Sequence, residues 1–342
     1  MNAIFPAAGC GCRACQDGRM AWRRPIADVA PRAAAGCGCR ACQDRQMDWR
    51  RPMMGRRPVT GTRAMVAAEH EALWRLHGLV EEEDTAVIGP TDNRVQQVAT
   101  KSFPWNTICH MCRAFPGVPC SGCTGTLIAA DTVLTAGHCL WSLHFNKPPQ
   151  SILVAPGRVD ATTTPYGSIA ASQIWVPRGF INGGPDRSTW DFGVMRLVRP
   201  FSTINRFMPM RALDGPALEA VAARYQLTVA GYPTDRPMGT MWRHTERLKK
   251  VTPRRLFYSV STCPGHSGSA VTTERGHGPE IIGVHTTGVL DNNGKTYGCA
   301  KGVALAPANL MNSGVRLTDE IIDAILHPTT PRQGAAAMVA LL

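Results

Sequence analysis

Three residues of this chain stand where nucleophilic chemistry could be done: His138 in TAGHC, Asp191 at the head of DFGVMRL, and Ser267 in CPGHSGSA. A serine hydroxyl is a weak nucleophile until a base removes its proton. A neutral imidazole can be that base, and a buried carboxylate fixes its tautomer and stabilises the imidazolium that forms. The order along the chain is His, Asp, Ser. An α/β-hydrolase runs Ser, acid, His and sets its serine in Gly-x-Ser-x-Gly, whereas here Gly265 and Gly268 frame His266 and Ser267, so that class is excluded. His266 is a poor rival for the base role, because neighbours on a tight turn project apart.

The elements that must position these groups are short. From about Ala86 onward, runs of β-branched and aliphatic residues alternate with Gly, Pro, Asn and Asp. Residues 125 to 140, 151 to 156, 172 to 177, 191 to 197, 227 to 233, 256 to 262, 269 to 273 and 281 to 288 each fit strands bounded by turns. Many short strands without intervening long helices predict an all-β barrel or sandwich. One helix is expected late, over Asp319 to Leu326, capped by Thr318 and followed by Pro328.

Composition agrees. The chain has 342 residues, 44% hydrophobic and 18% charged, with 33 Gly and 26 Pro, which excludes a disordered acidic chain and a coiled coil. No apolar run approaches the roughly 18 residues of a membrane span, so no membrane partner is expected, and the opening MNAIFPAAG is too broken for an export segment. The net charge of +12 comes without a dense basic block interleaved with aromatics; it reads as a solvated surface, with no nucleic-acid partner.

Thirteen cysteines fall into two groups. Six belong to a tandem repeat, in which GCGCRACQD at 9 to 17 recurs at 36 to 44 and M-x-WRRP recurs behind it. Cys10, Cys12, Cys15 and Cys37, Cys39, Cys42 could converge on a soft metal, but the spacing is not that of paired CxxC ribbons and no histidine precedes His70. The expected organisation is a flexible Cys-rich leader at 1–58, then a propeptide-like stretch at 59–84. That stretch holds an amphipathic helix from Thr62 to Val80 and the acidic run Glu81 to Asp84. In the second group, Cys109, Cys112, Cys120 and Cys123 could by themselves form a zinc knuckle, and that alternative to disulfides stays open.

From about Val87 to Leu326 the sequence resembles the chymotrypsin-fold serine proteases, most closely the bacterial glutamyl endopeptidases. The resemblance rests on VIGPTDNRV (87 to 95), CTGTLIAADTVLTAGHC (123 to 139), VAPGR with PYGS (154 to 168), VAGYP with GTMWRH (229 to 244), CPGHSGSAV (263 to 271) and IGVHTTG (282 to 288). It implies two packed six-stranded antiparallel barrels with a C-terminal helix, forming a protease domain at 85–330 with a tail at 331–342. It also implies a triad of His138, Asp191 and Ser267, and an oxyanion hole from the Gly265 and Ser267 N–H groups. Disulfides Cys123 to Cys139 and Cys263 to Cys299 are implied likewise, leaving Cys109, Cys112 and Cys120 one too many for pairing among themselves. His285 and Thr262 match positions that meet an acidic side chain in the specificity pocket.

Two departures qualify the trypsin pattern. The residue before Ser267 is His266, not the Asp that pairs with a freed N-terminus, and Ser261 stands where an Asp would select Lys or Arg. The expectation is therefore a secreted, monomeric serine endopeptidase without metal or cofactor. It would be made as a precursor, act on protein or peptide substrates and cut after Glu or Asp. The alternatives are a different pocket preference, or a silent metal-binding or adaptor protein acting through the Cys repeats.

Overall fold

The computed structural model describes residues 89–288, 299 and 311–342. The Cys repeats, the helix expected over Thr62 to Val80 and the acidic run lie outside the described residues.

The chain enters on β1 (Val95–Gln96) and then builds the first barrel from β2 (Ile108–Phe115), β3 (Val118–Ala129), β4 (Thr132–Thr135), β5 (Ser151–Pro156), β6 (Ile169–Pro177) and β7 (Gly193–Leu197). These pair in the order β6-β5-β2-β3-β4-β7, and β6 also pairs with β7, which closes the six strands into a barrel. Closure leaves no edge strand among them, although β6 runs on past its short pairing with β5 and keeps an open side there. Leu127, Val133, Leu134, Ile152, Val154, Ile174, Val194 and Met195 fill the interior. A short helix, α1 (Arg178–Asn182), leaves β6 and packs Phe180 inward.

Past β7, α2 (Gly215–Arg224) begins where the Asp214 side chain accepts the Ala217 N–H at 2.9 Å. Its Asp-Gly-Pro start is a helix signal that the strand-rich reading passed over. The second sheet comprises β8 (Leu227–Gly231), β9 (Trp242–Glu246), β10 (Leu248–Val251), β11 (Arg255–Tyr258), β12 (Ala270–Glu274), β13 (Pro279–Gly288) and β14 (Asn312–Arg316). With β1 on one edge it runs β1-β9-β8-β12-β13-β14-β11-β10 around a core of Val229, Leu256, Val260, Val271 and Ile282. Of the two six-stranded barrels expected, the first is a closed barrel and the second is a curled half-barrel. No β10 pairing to β1 joins its edges among the described residues.

The late helix, α3 (Asp319–Leu326), is capped as expected, with Thr318 Oγ1 accepting the Ile321 N–H at 3.3 Å. Asp319 and Glu320 sit in its first turn, where the helix dipole favours negative charge. The residues expected as a tail correct that reading. β15 (Met338–Ala340) pairs antiparallel with Trp175, Val176 and Pro177 on β6, and the Arg178 N–H donates to the Ala337 carbonyl at 2.7 Å. The physical cause is the open side of β6 combined with apolar Met338 and Leu341, which pack on the first core.

The start of the described chain is held by charge. Arg94, its side chain fully enclosed, reaches Asp92 at 2.9 Å and Asp235 at 2.5 Å, and Arg236 adds a second grip on Asp92. Burial opposes it, but the hydrogen bonds and charge of Arg94, with Arg236, hold Asp92 below the ordinary carboxylate range.

Deleting residues 334–342 should therefore lower the melting temperature by roughly 5 °C or more, through the lost strand pairing and the exposed Trp175 edge. Thermal unfolding followed by circular dichroism measures it; an unchanged midpoint would show that β15 adds nothing to the fold.

Candidate active site

His138 and Asp191 meet because β4 and β7 are antiparallel neighbours. Thr135, the last residue of β4, pairs with Gly193, the first of β7, so the loop after one strand and the loop before the other lie at the same barrel end. The loop after β4 coils into a turn, with the Leu140 and Trp141 N–H groups donating to the Gly137 carbonyl at 2.9 Å. Gly137 leaves little room for a side chain. A Cβ there would come within 3.2 Å of Asp191 Oδ1, of Phe180 and of the Phe192 carbonyl.

Both carboxylate oxygens of Asp191 are directed at one residue. Oδ2 lies 2.8 Å from His138 Nδ1, and Oδ1 accepts the His138 backbone N–H at 2.9 Å. Each of the two residues is 4% exposed. Burial alone would raise the Asp191 pKa; the His138 charge and its hydrogen bonds, with a further contribution from Arg255, outweigh that and hold it low. The carboxylate thus stays ionised and keeps the Nδ1 proton in place. Beneath this pair the buried Arg113 donates Nη1 to the His138 carbonyl at 3.1 Å and Nη2 to Ser121 Oγ at 2.7 Å.

Ser267 arrives from the second sheet on the turn between β11 and β12. Gly265 has φ +94°, and a Cβ there would stand 2.4 Å from the Tyr232 carbonyl, so only glycine fits. Gly268 has φ +85° and presses on β4, where a Cβ would fall 2.1 Å from Thr135 Oγ1. The seat of this turn is Thr124 on β3, which is wholly buried. Its N–H donates to the Ser267 carbonyl at 2.9 Å and its hydroxyl to the Gly265 carbonyl at 2.6 Å. The same hydroxyl oxygen accepts the Tyr232 N–H at 3.0 Å, and the Thr124 carbonyl accepts the Thr135 hydroxyl at 2.8 Å. Cys139, the neighbour of His138, brings its sulfur within 3.5 Å of the Ser267 carbonyl oxygen. The Ser267 hydroxyl itself donates to the Thr286 carbonyl at 3.2 Å. His266 folds back on Cys263, its Nδ1 lying 3.1 Å from that residue's N and 3.2 Å from its carbonyl oxygen.

The two residues expected in the pocket are both enclosed, His285 at 1% and Thr262 at 0% exposure. His285 Nδ1 is 2.8 Å from the Tyr258 hydroxyl, and burial pushes the Tyr258 pKa well up, so the phenol keeps its proton. Thr262 Oγ1 is buried with no hydrogen-bond partner among the described residues. The adjacent Ser261 donates its N–H to His244 Nδ1 at 2.7 Å, and its hydroxyl accepts the Gly89 N–H at 3.2 Å. The His244 pKa is lowered, first by burial; Glu246 and Asp92 oppose that and Arg94 adds to it. Asn312 on β14 ties this stretch down through its side-chain amide, 2.6 Å from the Val260 carbonyl.

Disulfides join Cys123 to Cys139, Cys263 to Cys299 and Cys112 to Cys120, leaving Cys109 a buried thiol whose pKa burial raises. The zinc-knuckle alternative for Cys109, Cys112, Cys120 and Cys123 is not what forms, because three of its four sulfurs are spent in disulfides. The same chemistry bears on Cys123, His138 and Cys139, the one His/Cys/Asp/Glu group among the described residues close enough to share an ion. Two of its donors are disulfide sulfurs, not thiolates, and thiolates are what soft metals bind. Sequence reasoning missed Thr124, Arg113, Tyr258 and Arg255. Each lies in a strand or beside a turn where its type looks ordinary, and only long-range pairing reveals its place.

A sequence profile described as Trypsin matches residues 93–308. The chain is 29% identical over 247 residues to a glutamyl endopeptidase of Bacillus licheniformis, covering 70% of this chain and 67% of that one. It is 27% identical over 248 residues to a Bacillus subtilis protein named extracellular metalloprotease, covering 72% and 70%. A solved Glu endopeptidase structure, in complex with MPD, superposes with a TM-score of 0.57 at 25% identity, covering 71% of this chain and 99% of the other. With this fold, this profile match and these relatives, the chain belongs to the trypsin family of chymotrypsin-fold serine proteases and is related to the glutamyl endopeptidases.

Proposed function

We propose that this protein is a serine endopeptidase that cleaves after Glu or Asp, with Ser267 as nucleophile, His138 as base and then acid, and Asp191 as the orienting carboxylate. The observation that carries the reading is the double engagement of His138 by Asp191, which fixes both the ring and its backbone. With Nδ1–H held on Oδ2, the proton-accepting nitrogen is Nε2. It takes the Ser267 proton as the hydroxyl attacks the peptide carbonyl, then returns it to the leaving amine. The Gly265 and Ser267 N–H groups would stabilise the oxyanion; losing one such donor typically costs about 2.7–4 kcal/mol of transition-state stabilisation.

The pocket reading rests on donor chemistry. A protonated Tyr258 hydroxyl donating to His285 Nδ1 leaves Nε2 as the protonated ring nitrogen, and the Thr262 hydroxyl, which has no hydrogen-bond partner among the described residues, offers a second donor. A buried hydroxyl without a partner costs roughly 1–3 kcal/mol, which an incoming carboxylate would offset. Neutral donors accept a carboxylate without a fixed countercharge, and Ser261 gives nothing for Lys or Arg to pair with. Disulfides fit an oxidising compartment, and no described helix is long and apolar enough to cross a membrane; we take the protein to be secreted. Glu81 to Asp84 place acidic residues just before the protease domain, so we take the chain to be a precursor that cuts itself there.

Ser267→Ala and His138→Ala should each lower kcat on the order of a million-fold with folding intact, and the double variant should be little worse, since the groups act as a unit. Turnover of a Glu-containing peptide, beside fluorophosphonate labelling, decides it; a folded wild-type protein that never takes the label removes the reading. The Glu over Gln preference should be at least about tenfold and should collapse in His285→Val. An unaltered ratio takes His285 out of the pocket. Purified active protein should begin between Glu82 and Thr85, whereas Ser267→Ala should keep its leader. N-terminal sequencing of both checks this, and processing of the inactive variant at the same bond would defeat self-cleavage.

A further inference from the structure

Arg255, the first residue of β11, is 7% exposed and carries its charge into the seam between the two halves of the fold. One fork nitrogen, Nη1, donates to the Ser188 carbonyl at 2.5 Å and lies 3.2 Å from Thr286 Oγ1. The other, Nη2, donates to Ser313 Oγ and lies 3.4 Å from Thr287 Oγ1. Ser188 belongs to the turn that delivers Asp191 from the first barrel. Thr286 and Thr287 belong to β13, which carries His285 and the carbonyl that receives the Ser267 hydroxyl. Next door, Arg254 stacks over Trp190, with its guanidinium carbon 4.1 Å from the ring centroid, and pairs with Glu320 at 2.6 Å. The start of β11 therefore grips the Asp191 turn from the other half of the protein.

Every oxygen that Arg255 touches is neutral. The carboxylate whose charge it feels is Asp191, and the other charged or titratable groups around the pair among the described residues include His138, Arg113 at the His138 carbonyl, Arg254 on Trp190 with its partner Glu320, Tyr258 on its own strand and His285 behind Tyr258. We propose that Arg255 is a positioning residue with two effects: its planar fork locks the Asp191 turn to the pocket strand, and its charge keeps the Asp191 and His138 pair from taking up a proton as the pH falls. The inference rests on the triad reading above and adds to it a residue that touches neither substrate nor the reacting atoms. Electrostatics support the geometry: burial pulls the Arg255 pKa down and Asp191 offsets it, while Arg255 is among the groups holding Asp191 low.

The signs are fixed. A cation beside the pair favours the carboxylate and disfavours an added proton, so removing it makes protonation easier and moves the loss of activity to higher pH. A rigid fork lost without loss of charge loosens positioning but leaves that limb alone. The experiment measures kcat/KM against pH on a Glu-containing peptide, with enzyme concentration set by fluorophosphonate titration, for wild type, Arg255→Met, Arg255→Gln and Arg255→Lys.

Arg255→Met and Arg255→Gln should raise the acid limb by about 0.5 pH unit or more. Arg255→Lys should keep the limb within error while kcat falls on the order of tenfold. Gln is included because it retains donors for Ser188 and Thr286 where Met could fail to fold. A titratable neutral variant with the wild-type limb, or a Lys variant that shifts as far as the neutral ones, overturns the proposal. A wild-type enzyme that takes no label would instead mean that the triad reading itself had failed.

Discussion

The proposed active site hangs on one residue that takes no part in the proposed chemistry. Thr124 lies in the first barrel, yet it holds the second sheet's Ser267 turn by two carbonyls and receives the strand β8 end through the Tyr232 N–H. Its own carbonyl ties back to Thr135, three residues before His138. All its polar atoms are therefore used, in a place where an unmade bond would carry the full cost of desolvation. The turn's glycines follow from this. Gly265 and Gly268 let the backbone come so close to Tyr232, Thr124 and Thr135 that any side chain would push the halves apart.

A second constraint replaces one that trypsin-like chains use. With His266 before Ser267 and turned onto Cys263, no carboxylate stands there to pair with a new N-terminus. The start of the described chain is instead tied elsewhere, through Gly89 to Ser261 and through Arg94 and Asp92 to Asp235 and Arg236. The loop carrying Asp235 also donates the Thr234 N–H to the Pro264 carbonyl at 2.8 Å, directly beside Gly265. Order at the chain's entry and order at the nucleophile turn thus share a support, although no charge reaches the turn itself.

Much of this was legible in the sequence, for uneven reasons. Strands such as SILVAP and IIGVHTTG carried β-branched runs between turn residues, and α3 carried its cap and its proline. Ile108–Phe115 escaped notice because Cys109, Cys112 and Arg113 broke the pattern, although the strand is central and buried along nearly its whole length. The C-terminal strand escaped because AAAMVALL at a chain end looks frayed until an unfilled strand edge is known to be waiting. His138, Asp191 and Ser267 were visible through their motifs. Arg255 was not, since a basic pair before a strand ordinarily faces water, and only the approach of the Asp191 turn buries one of the two.

The strand order holds a further consequence. Among the described residues the chain enters on the edge of the second sheet with β1, crosses to build the first barrel, returns for β8 to β14, and then crosses once more to lay β15 on β6. Each half thus borrows a strand that lies, along the chain, on the far side of the other half. A cut in the connection between β7 and β8 would yield two fragments that each hold a piece of the other's sheet. Neither would be a complete half, and the nicked molecule would stay clasped like two hands with exchanged fingers.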